Sequence, residues 1–199
     1  MSRTSLRFLR RGRVVEIENF DPKMTLLEWL RLKERSTGTK EGCAEGDCGA
    51  CTVVLARERD GALHYEPINS CIQLLGQIDG MEVITVEDLA EGETLHPVQD
   101  AMVKHHGSQC GYCTPGIVMS LFALHHAKLS DIDRAKINEA LSGNLCRCTG
   151  YRPIIDAAME ACGDAPRDQF TRREADTIAK LMEIKADEDV LIADEDQFF

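Results

Sequence analysis

Four cysteines in the first half of the chain restrict its fold and chemistry more than any other feature. Cys43, Cys48 and Cys51 form a C-x4-C-x2-C loop, and Cys71 follows after nineteen intervening residues. This is the spacing of plant-type [2Fe–2S] sites, where three thiolates on one loop and a fourth from elsewhere bind one cluster. Glycines within the loop allow the backbone to come close to the cluster. A zinc site is disfavoured because such sites favour two C-x2-C-like pairs and this loop has one.

A second group contains a C-x2-C pair, Cys110 and Cys113, and a C-x-C pair, Cys146 and Cys148. Its spacing is compatible with a [2Fe–2S] cluster, a four-thiolate zinc site or a redox-active C-x2-C pair. Both pairs lie just before predicted helices, whose N-termini offer unpaired N–H groups and a positive dipole end. These features favour an anionic cluster. The ninth cysteine, Cys162, stands alone and is predicted to be a buried spectator thiol.

Residues 1–88 are predicted to form a small mixed sheet crossed by one main helix. Apolar residues alternate with polar ones along the predicted strands, and Arg11-Gly12 and Asp60-Gly61 offer hairpin turns. Thr25 and Glu28 match a capping box, which predicts a helix running to about residue 34. The predicted strands lie at about 6–8, 15–17, 52–56, 63–68 and 82–86.

After about Asp88 the pattern becomes helical, with prolines at predicted helix starts and glycines near the ends. Four short helices joined by short loops predict a small bundle over residues 89–163. The remaining segment, 164–199, carries eleven acidic and five basic residues and is expected to be a solvated tail with a possible helix at 173–184. The predicted bundle helices span about 97–107, 115–128, 131–141 and 153–162.

The net charge of −11 argues against nucleic acid or an anionic membrane as a main partner. The N-terminal residues 1–13 lack the continuous apolar stretch of a signal peptide. The most apolar run, 117–124, is too short to cross a bilayer. We therefore expect a cytoplasmic protein without membrane contact, in which clustered cysteines bind metal rather than form disulfides.

Two adjacent histidine pairs lie in predicted helices: His105-His106 and His125-His126. Neighbouring helical positions point about 100° apart, so we expect one histidine of each pair to face solvent and neither pair to bind metal. Arg147 and Arg152 lie beside the second cysteine group. Two interpretations of these arginines stay open. They can neutralise the negative charge of a cluster or contact an acidic partner, or they can form ordinary surface salt bridges.

Three motifs resemble those of the molybdenum hydroxylases of the xanthine oxidase family. Residues 39–51 (TKEGCAEGDCGAC) are similar to the first cluster loop of that family, and 107–116 (GSQCGYCTPG) with 143–151 (GNLCRCTGY) are similar to its second cluster motif. The resemblance covers roughly residues 4–163. Within the family, 40–47 and 96–99 are most similar to xanthine dehydrogenase. Carbon monoxide dehydrogenase and the aldehyde and aromatic hydroxylases are also similar.

The resemblance implies an α+β chain of three parts. A β-grasp plant-type ferredoxin domain occupies residues 1–88, an all-α four-helix-bundle [2Fe–2S] domain occupies 89–163, and an acidic linker at 164–199 leads to an FAD domain. Each cysteine group then holds one [2Fe–2S] cluster. Gln109 and Cys148 match positions that contact the molybdopterin of a partner, and this chain carries no catalytic residue.

The function implied by the resemblance is electron transfer, from a molybdopterin-binding large subunit or domain through two clusters to FAD and NAD⁺, during oxidation of hypoxanthine or xanthine. The assembly is expected to be a hetero-oligomer such as a dimer of heterodimers. Two alternatives stay open. One is the iron–sulfur subunit of a related hydroxylase acting on an aldehyde, carbon monoxide or an aromatic heterocycle, and the other is a stand-alone ferredoxin with a structural zinc site.

Overall fold

A five-stranded mixed sheet forms the first part of the molecule. The computed structural model describes residues 4–127, 129, 131–163 and 165–185, and the backbone of 193–194 and 197–198. The strands are β1 (Ser5–Arg10), β2 (Arg13–Glu18), β3 (Thr52–Arg59), β4 (Ala62–Asn69) and β5 (Glu82–Ile84). Their order is β2-β1-β5-β3-β4, with β1 parallel to β5 and the other pairs antiparallel. A short strand pair, β6 (Ala193–Asp194) and β7 (Gln197–Phe198), lies near the end of the chain.

The helix that crosses the sheet begins at the predicted capping box. Thr25 accepts the N–H of Glu28, and the Glu28 carboxylate accepts the N–H of Thr25. The helix α1 (Leu26–Glu28) continues as a wider π-helical turn at Trp29–Lys33. Trp29 packs edge-on against Phe8 of the sheet, with ring centroids 5.2 Å apart. The helix therefore ends close to the predicted residue 34, but its second half is π-helical and not α-helical.

Two short 3-10 helices, Leu75–Ile78 and Val86–Asp88, and six further α-helices follow in the described residues, and the first four α-helices correspond to the predicted helices of the second half. Their ends differ by a few residues because local caps decide them; for example, Asp133 accepts the N–H of Lys136 and starts α4 later than predicted. No helix in the described residues is long and apolar enough to span a bilayer. The helices are α2 (Pro97–Lys104), α3 (Thr114–His126), α4 (Arg134–Ala140), α5 (Arg152–Ala161), α6 (Gln169–Arg172) and α7 (Glu174–Ile184).

Both faces of the sheet are buried at its central strand β3. Along β3, Val53 and Leu55 belong to the core under α1, whereas Val54 and Ala56 belong to a larger core shared with the helices. Successive side chains of a strand point to opposite faces, so a strand covered on both sides is apolar throughout. The helix α3 packs on this second face and is itself buried from Gly116 to His126. The sheet and the helices therefore share one core.

The expectation of a solvated acidic tail is wrong for residues 165–185. Phe170 is buried in the shared core, and Leu181 and Ile184 of α7 pack against Leu9 and Leu63 on the sheet. Acidic residues of α7, such as Asp176, lie on its exposed side. The segment is amphipathic, so its net charge did not reveal the apolar face that docks on the rest of the molecule.

The loop of the first cysteine group meets α3 at two glycines. A Cβ on Gly116 would lie 2.1 Å from the carbonyl oxygen of Gly49, and a Cβ on Gly49 would lie 2.2 Å from the carbonyl oxygen of Gly143. Gly49 also has a φ of +72°, a conformation that other residues rarely adopt. The contact is backbone against backbone, so neither side can move away as a flexible side chain could.

We therefore expect Gly116→Ala to destabilise the protein by about 2–3 kcal/mol, as overpacked core substitutions do. Within a helix the same change ordinarily stabilises by about 1 kcal/mol, so the steric overlap decides the sign. Gly143→Ala is the matched control, because a Cβ there meets no atom within 4 Å and its φ is not positive. Urea unfolding followed by circular dichroism measures both variants. Equal midpoints for the two would contradict the prediction.

Candidate metal centres

The first cysteine group is assembled from one loop and the ends of a strand pair. Cys51 directly precedes β3 and Cys71 closely follows β4, and the pairing of Thr52 with Asn69 brings these ends together. The Ser70 hydroxyl donates to the carbonyl of Cys51 at 2.7 Å. Cys51 and Cys71 are buried beside Leu27. The strand register thus brings the fourth thiol to the loop, as the spacing predicted.

Backbone N–H groups of the loop point at its sulfur atoms. Those of Asp47 and Cys48 donate to Cys43 Sγ, both at 3.3 Å. Hydrogen bonds from the backbone of Glu45, Cys48 and Asp47 lower the pKa of Cys43 to about 7. A Cβ on Gly42 would lie 2.7 Å from Cys48 Sγ, so a larger residue there would displace this thiol. Donors of this kind stabilise thiolates, the ligand form that a metal binds.

The four thiols of this group lie close together. Cys48 hydrogen-bonds to Cys43, and Cys51 hydrogen-bonds to Cys71. Burial, followed by the nearby Cys51, raises the pKa of Cys71 to about 12. A buried cysteine with a high pKa loses its proton when a bound cation neutralises the charge of the thiolate. Four neighbouring thiols, some of them buried, are therefore suited to bind a metal centre.

The second group lies at the N-termini of α3 and α5. Cys113 is the residue before α3, and Tyr151, with a φ of +65°, is the residue before α5. The thiols form two neighbouring pairs, Cys110 with Cys148 and Cys113 with Cys146. Burial and the neighbouring Cys146 raise the pKa of Cys113 to about 12. The structure therefore brings all four predicted residues together, at the helix ends that the prolines indicated.

Two residues of the second motif that the sequence analysis did not single out hold its ligand loop. The Tyr151 hydroxyl accepts the N–H of Cys146 at 2.7 Å and donates to the carbonyl of Asn144 at 3.0 Å. The Thr149 hydroxyl contacts Cys146 Sγ at 3.1 Å. Burial tends to raise the pKa of Cys146, but the hydrogen bonds from Thr149 outweigh it and the pKa is lowered. Only the folded loop reveals these contacts.

The two cysteine groups face one shared cavity of about 360 Å³. The N–H of Leu145, the residue before Cys146, donates to the carbonyl of Cys48 at 2.9 Å. The Tyr112 hydroxyl, from between Cys110 and Cys113, donates to the carbonyl of Glu41. Each ligand loop is thus hydrogen-bonded to the other. The cavity is lined by cysteines of both groups: Cys43, Cys48, Cys110, Cys113 and Cys148.

The polar residues predicted near the second group lie on its outer side. Gln109, Arg147 and Cys148 are exposed, and Arg147 lines the shared cavity. Arg152 is the exposed first residue of α5. Within the described part of the chain, neither arginine forms a salt bridge of 4.0 Å or less. Arg147 thus lies where it could face a bound cluster, and both of the predicted interpretations stay open for Arg152.

The expectation that one histidine of each pair faces solvent holds for the first pair and is wrong for the second. His106 is exposed, but His125 and His126 are both buried, because α3 is covered on all sides. His125 donates from Nδ1 to the carbonyl of Ala161 at 2.7 Å. Burial, followed by the neighbouring His96 and His126, lowers the pKa of His125 to about 4.

His96, His126 and Asp168 form a buried junction between α2, α3 and α6. Asp168 Oδ2 lies 2.7 Å from Nε2 of both histidines. The N–H of Val98 donates to His96 Nδ1, which leaves the ring proton on Nε2 to donate to Asp168. A metal at Nε2 would need that proton on Nδ1, where Val98 already donates. The geometry therefore indicates a hydrogen-bonded junction.

Two family models cover the two cysteine groups. Residues 9–74 match a 2Fe-2S iron-sulfur cluster binding domain, and residues 85–159 match a [2Fe-2S] binding domain. Each match contains one complete group of four cysteines. The chain therefore carries two [2Fe–2S]-binding domains, and the second match favours iron over zinc at the helical group.

Relatives of known identity decide the family. Xanthine dehydrogenase of Blastobotrys adeninivorans is 51% identical over 150 residues, or 74% of this chain. Aldehyde oxidase 1 of Rattus norvegicus is 46% identical over 81% of this chain. The crystal structure of quinoline 2-oxidoreductase from Pseudomonas putida 86 matches with a TM-score of 0.67 and 38% identity, over 80% of this chain and 92% of that one. The chain belongs to the xanthine oxidase family, as an iron–sulfur domain.

Xanthine oxidase family members of known structure also share the fold. Aldehyde oxidoreductase from Desulfovibrio gigas matches with a TM-score of 0.70 and 34% identity, over 79% of this chain and 17% of that one. The chain spans only 11–12% of the length of the curated relatives it matches. It thus corresponds to the iron–sulfur part of these oxidoreductases.

Proposed function

We propose that this chain is the electron-transfer part of a xanthine dehydrogenase-like molybdenum hydroxylase, which relays electrons from a molybdopterin site to FAD and NAD⁺ during oxidation of hypoxanthine or xanthine. The observation that carries the proposal is the shared cavity, which is lined by cysteines of both groups. One-electron uptake and release is the chemistry that [2Fe–2S] clusters supply when bound. Such a relay needs two metal centres side by side, which is the arrangement of these thiols.

The residues of this chain have three proposed roles. Eight thiolates hold the clusters, backbone N–H groups such as that of Asp47 stabilise sulfur charge, and exposed Gln109 and Cys148 meet the molybdopterin of a partner. The first set of ligands is Cys43, Cys48, Cys51 and Cys71. The second set is Cys110, Cys113, Cys146 and Cys148.

The fold supports the domain assignment within this proposal. A mixed sheet of order β2-β1-β5-β3-β4 crossed by α1 is consistent with a β-grasp ferredoxin domain at 1–88, and α2 to α5 are consistent with a four-helix bundle at 89–163. Residues 164–199 are proposed to lead toward an FAD domain. Since 165–185 pack on the sheet and helices, the proposed linker role falls to the residues after Lys185. A hetero-oligomer with a molybdopterin-binding subunit completes the proposal.

A related substrate is the second candidate. Aldehyde oxidases of several mammals are 46–47% identical to this chain, close to the 48–51% of two fungal xanthine dehydrogenases. The chain's own residues do not choose between these substrates, because in the proposed layout they do not touch substrate. Bleaching of the cluster absorbance in the assembled enzyme by xanthine, but not by an aldehyde, would favour the first candidate.

Iron, sulfide and zinc content, paired with EPR after dithionite reduction, tests the electron-transfer proposal. Two [2Fe–2S] domains predict about four irons and four sulfides per chain, no zinc and two distinct S = ½ signals. Half of that iron, with one zinc and a single signal, would instead assign Cys110, Cys113, Cys146 and Cys148 to a structural zinc site and overturn the relay.

A further inference from the structure

We propose that Asn144 is a positioning residue that sets the separation of the two clusters, an inference that rests on the proposed relay. Its side chain is 3% exposed and lies between the ligand loops. The amide Nδ2 donates to the carbonyl of Gly49 and to the hydroxyl of Thr52, both at 3.1 Å. Its Oδ1 accepts from the Ser120 hydroxyl at 2.6 Å. Every polar atom of this buried amide thus has a partner.

The partners of Asn144 lie on both sides of a cluster ligand. Gly49 and Thr52 flank Cys51, while Asn144 itself lies two residues before Cys146. One amide therefore joins a ligand loop of the first group to a ligand loop of the second. The Ser120 hydroxyl of α3 donates to the amide oxygen of Asn144 and so fixes the orientation of the amide. The two N–H donors of the amide therefore face the first loop, and turning the amide over would break these buried hydrogen bonds.

The chemistry of the contact requires an amide. Gly49 offers only a carbonyl acceptor, so the side chain opposite it must donate, and the amide oxygen at the other end accepts the Ser120 hydroxyl. A carboxylate at position 144 would place acceptor oxygen against the Gly49 carbonyl. An alanine would leave buried polar groups unpaired and open a gap between the loops. Either change is expected to shift the first loop relative to the second.

Asn69, which contacts the same ligand loop, provides a matched control. The amide of Asn69 donates to the carbonyl of Gly46 at 2.6 Å, but Asn69 ends β4 and so comes from the same domain as that loop. Asn69 and Asn144 therefore make the same chemical contact with the first ligand loop. Of these two asparagines, Asn144 alone comes from the other domain.

The test compares Asn144→Ala and Asn69→Ala in the metal-loaded protein. We measure iron content, the magnetic interaction between the two reduced clusters by low-temperature EPR, and the rate of electron transfer between clusters after flash reduction. Asn144→Ala is expected to keep both signals, to change their mutual splitting and to slow the transfer severalfold. Asn69→Ala is expected to alter the first signal alone. An Asn144→Ala protein with the wild-type splitting and rate would overturn the proposal.

A milder variant covers the case in which Asn144→Ala loses iron. Ser120→Ala removes only the hydrogen bond that orients the amide, and is expected to change the splitting in the same direction by a smaller amount. An unchanged splitting in Ser120→Ala, together with iron loss in Asn144→Ala, would assign Asn144 a purely structural role and reject the inference. Failure of the relay itself looks different, because the wild-type protein would then lack two interacting signals.

Discussion

Cys113→Ala is expected to remove about two of the four irons per chain and one of the two EPR signals, since the two matched domains hold one [2Fe–2S] cluster each. Cys113 is half-buried at the start of α3, next to Cys146 and close to Cys110. No other described cysteine outside the two groups lies in the shared cavity to replace it. Iron analysis and EPR on the purified variant give the result directly.

The ninth cysteine provides the control for this substitution. Cys162 is buried, and its thiol donates to the carbonyl of Leu121 at 3.6 Å. Burial raises its pKa to about 12, which is typical of an inert structural thiol. Cys162→Ala is therefore expected to keep the full iron content. Retention of all iron in Cys113→Ala would exclude Cys113 from the ligand set.

Asp168→Ala is expected to lower the free energy of unfolding by about 3–5 kcal/mol, because each buried donor left unpaired costs about 1–3 kcal/mol and the lost helix cap costs about 1 kcal/mol more. Burial tends to raise the pKa of Asp168, but hydrogen bonds from His126 and His96 outweigh it and hold the pKa well below its usual range. The other oxygen, Oδ1, accepts the N–H of Thr171 and caps α6. Removing the carboxylate leaves two buried ring N–H groups unpaired and uncaps a helix.

Glu160→Ala is the matched control for Asp168. Its carboxylate also accepts from a histidine, His105 at 2.6 Å, and from Lys104 at 2.7 Å, but its side chain is 40% exposed. Exposed pairs contribute about 0–1 kcal/mol, so this variant is expected to change stability little. Urea unfolding of both metal-loaded variants measures the difference. A similar small loss in the two would show that the buried junction does not hold residues 165–185 in place.

The sequence predicted the parts of the structure that depend on local chemistry. The capping box at Thr25 starts α1, and the prolines at 97, 115 and 153 lie in the first turns of α2, α3 and α5. The two cysteine groups assemble because three ligands of the first share one loop and both pairs of the second precede helices. Spacing of this kind is visible without knowledge of the fold.

Contacts between distant segments escaped prediction. Tyr112 and Asn144 join the two ligand loops through hydrogen bonds whose partners only the folded chain brings near. The acidic composition of 164–199 concealed the apolar face of α7, and the 100° spacing of adjacent helical residues gave no warning that α3 is covered on all sides. In each case the missing information is which surfaces pack together.

The shared core of the sheet and the helices limits which domains can be exchanged between related proteins. Val54, Ala56 and Ile84 of the sheet are 0–1% exposed because α3 and its neighbours cover them. A chimaera that joined this sheet to another protein's helices would have to match that apolar surface, the Gly49–Gly116 contact and the amide of Asn144 together. The two cluster-binding domains are thus expected to be inherited as a single unit, with substitutions on one side of the contact compensated on the other.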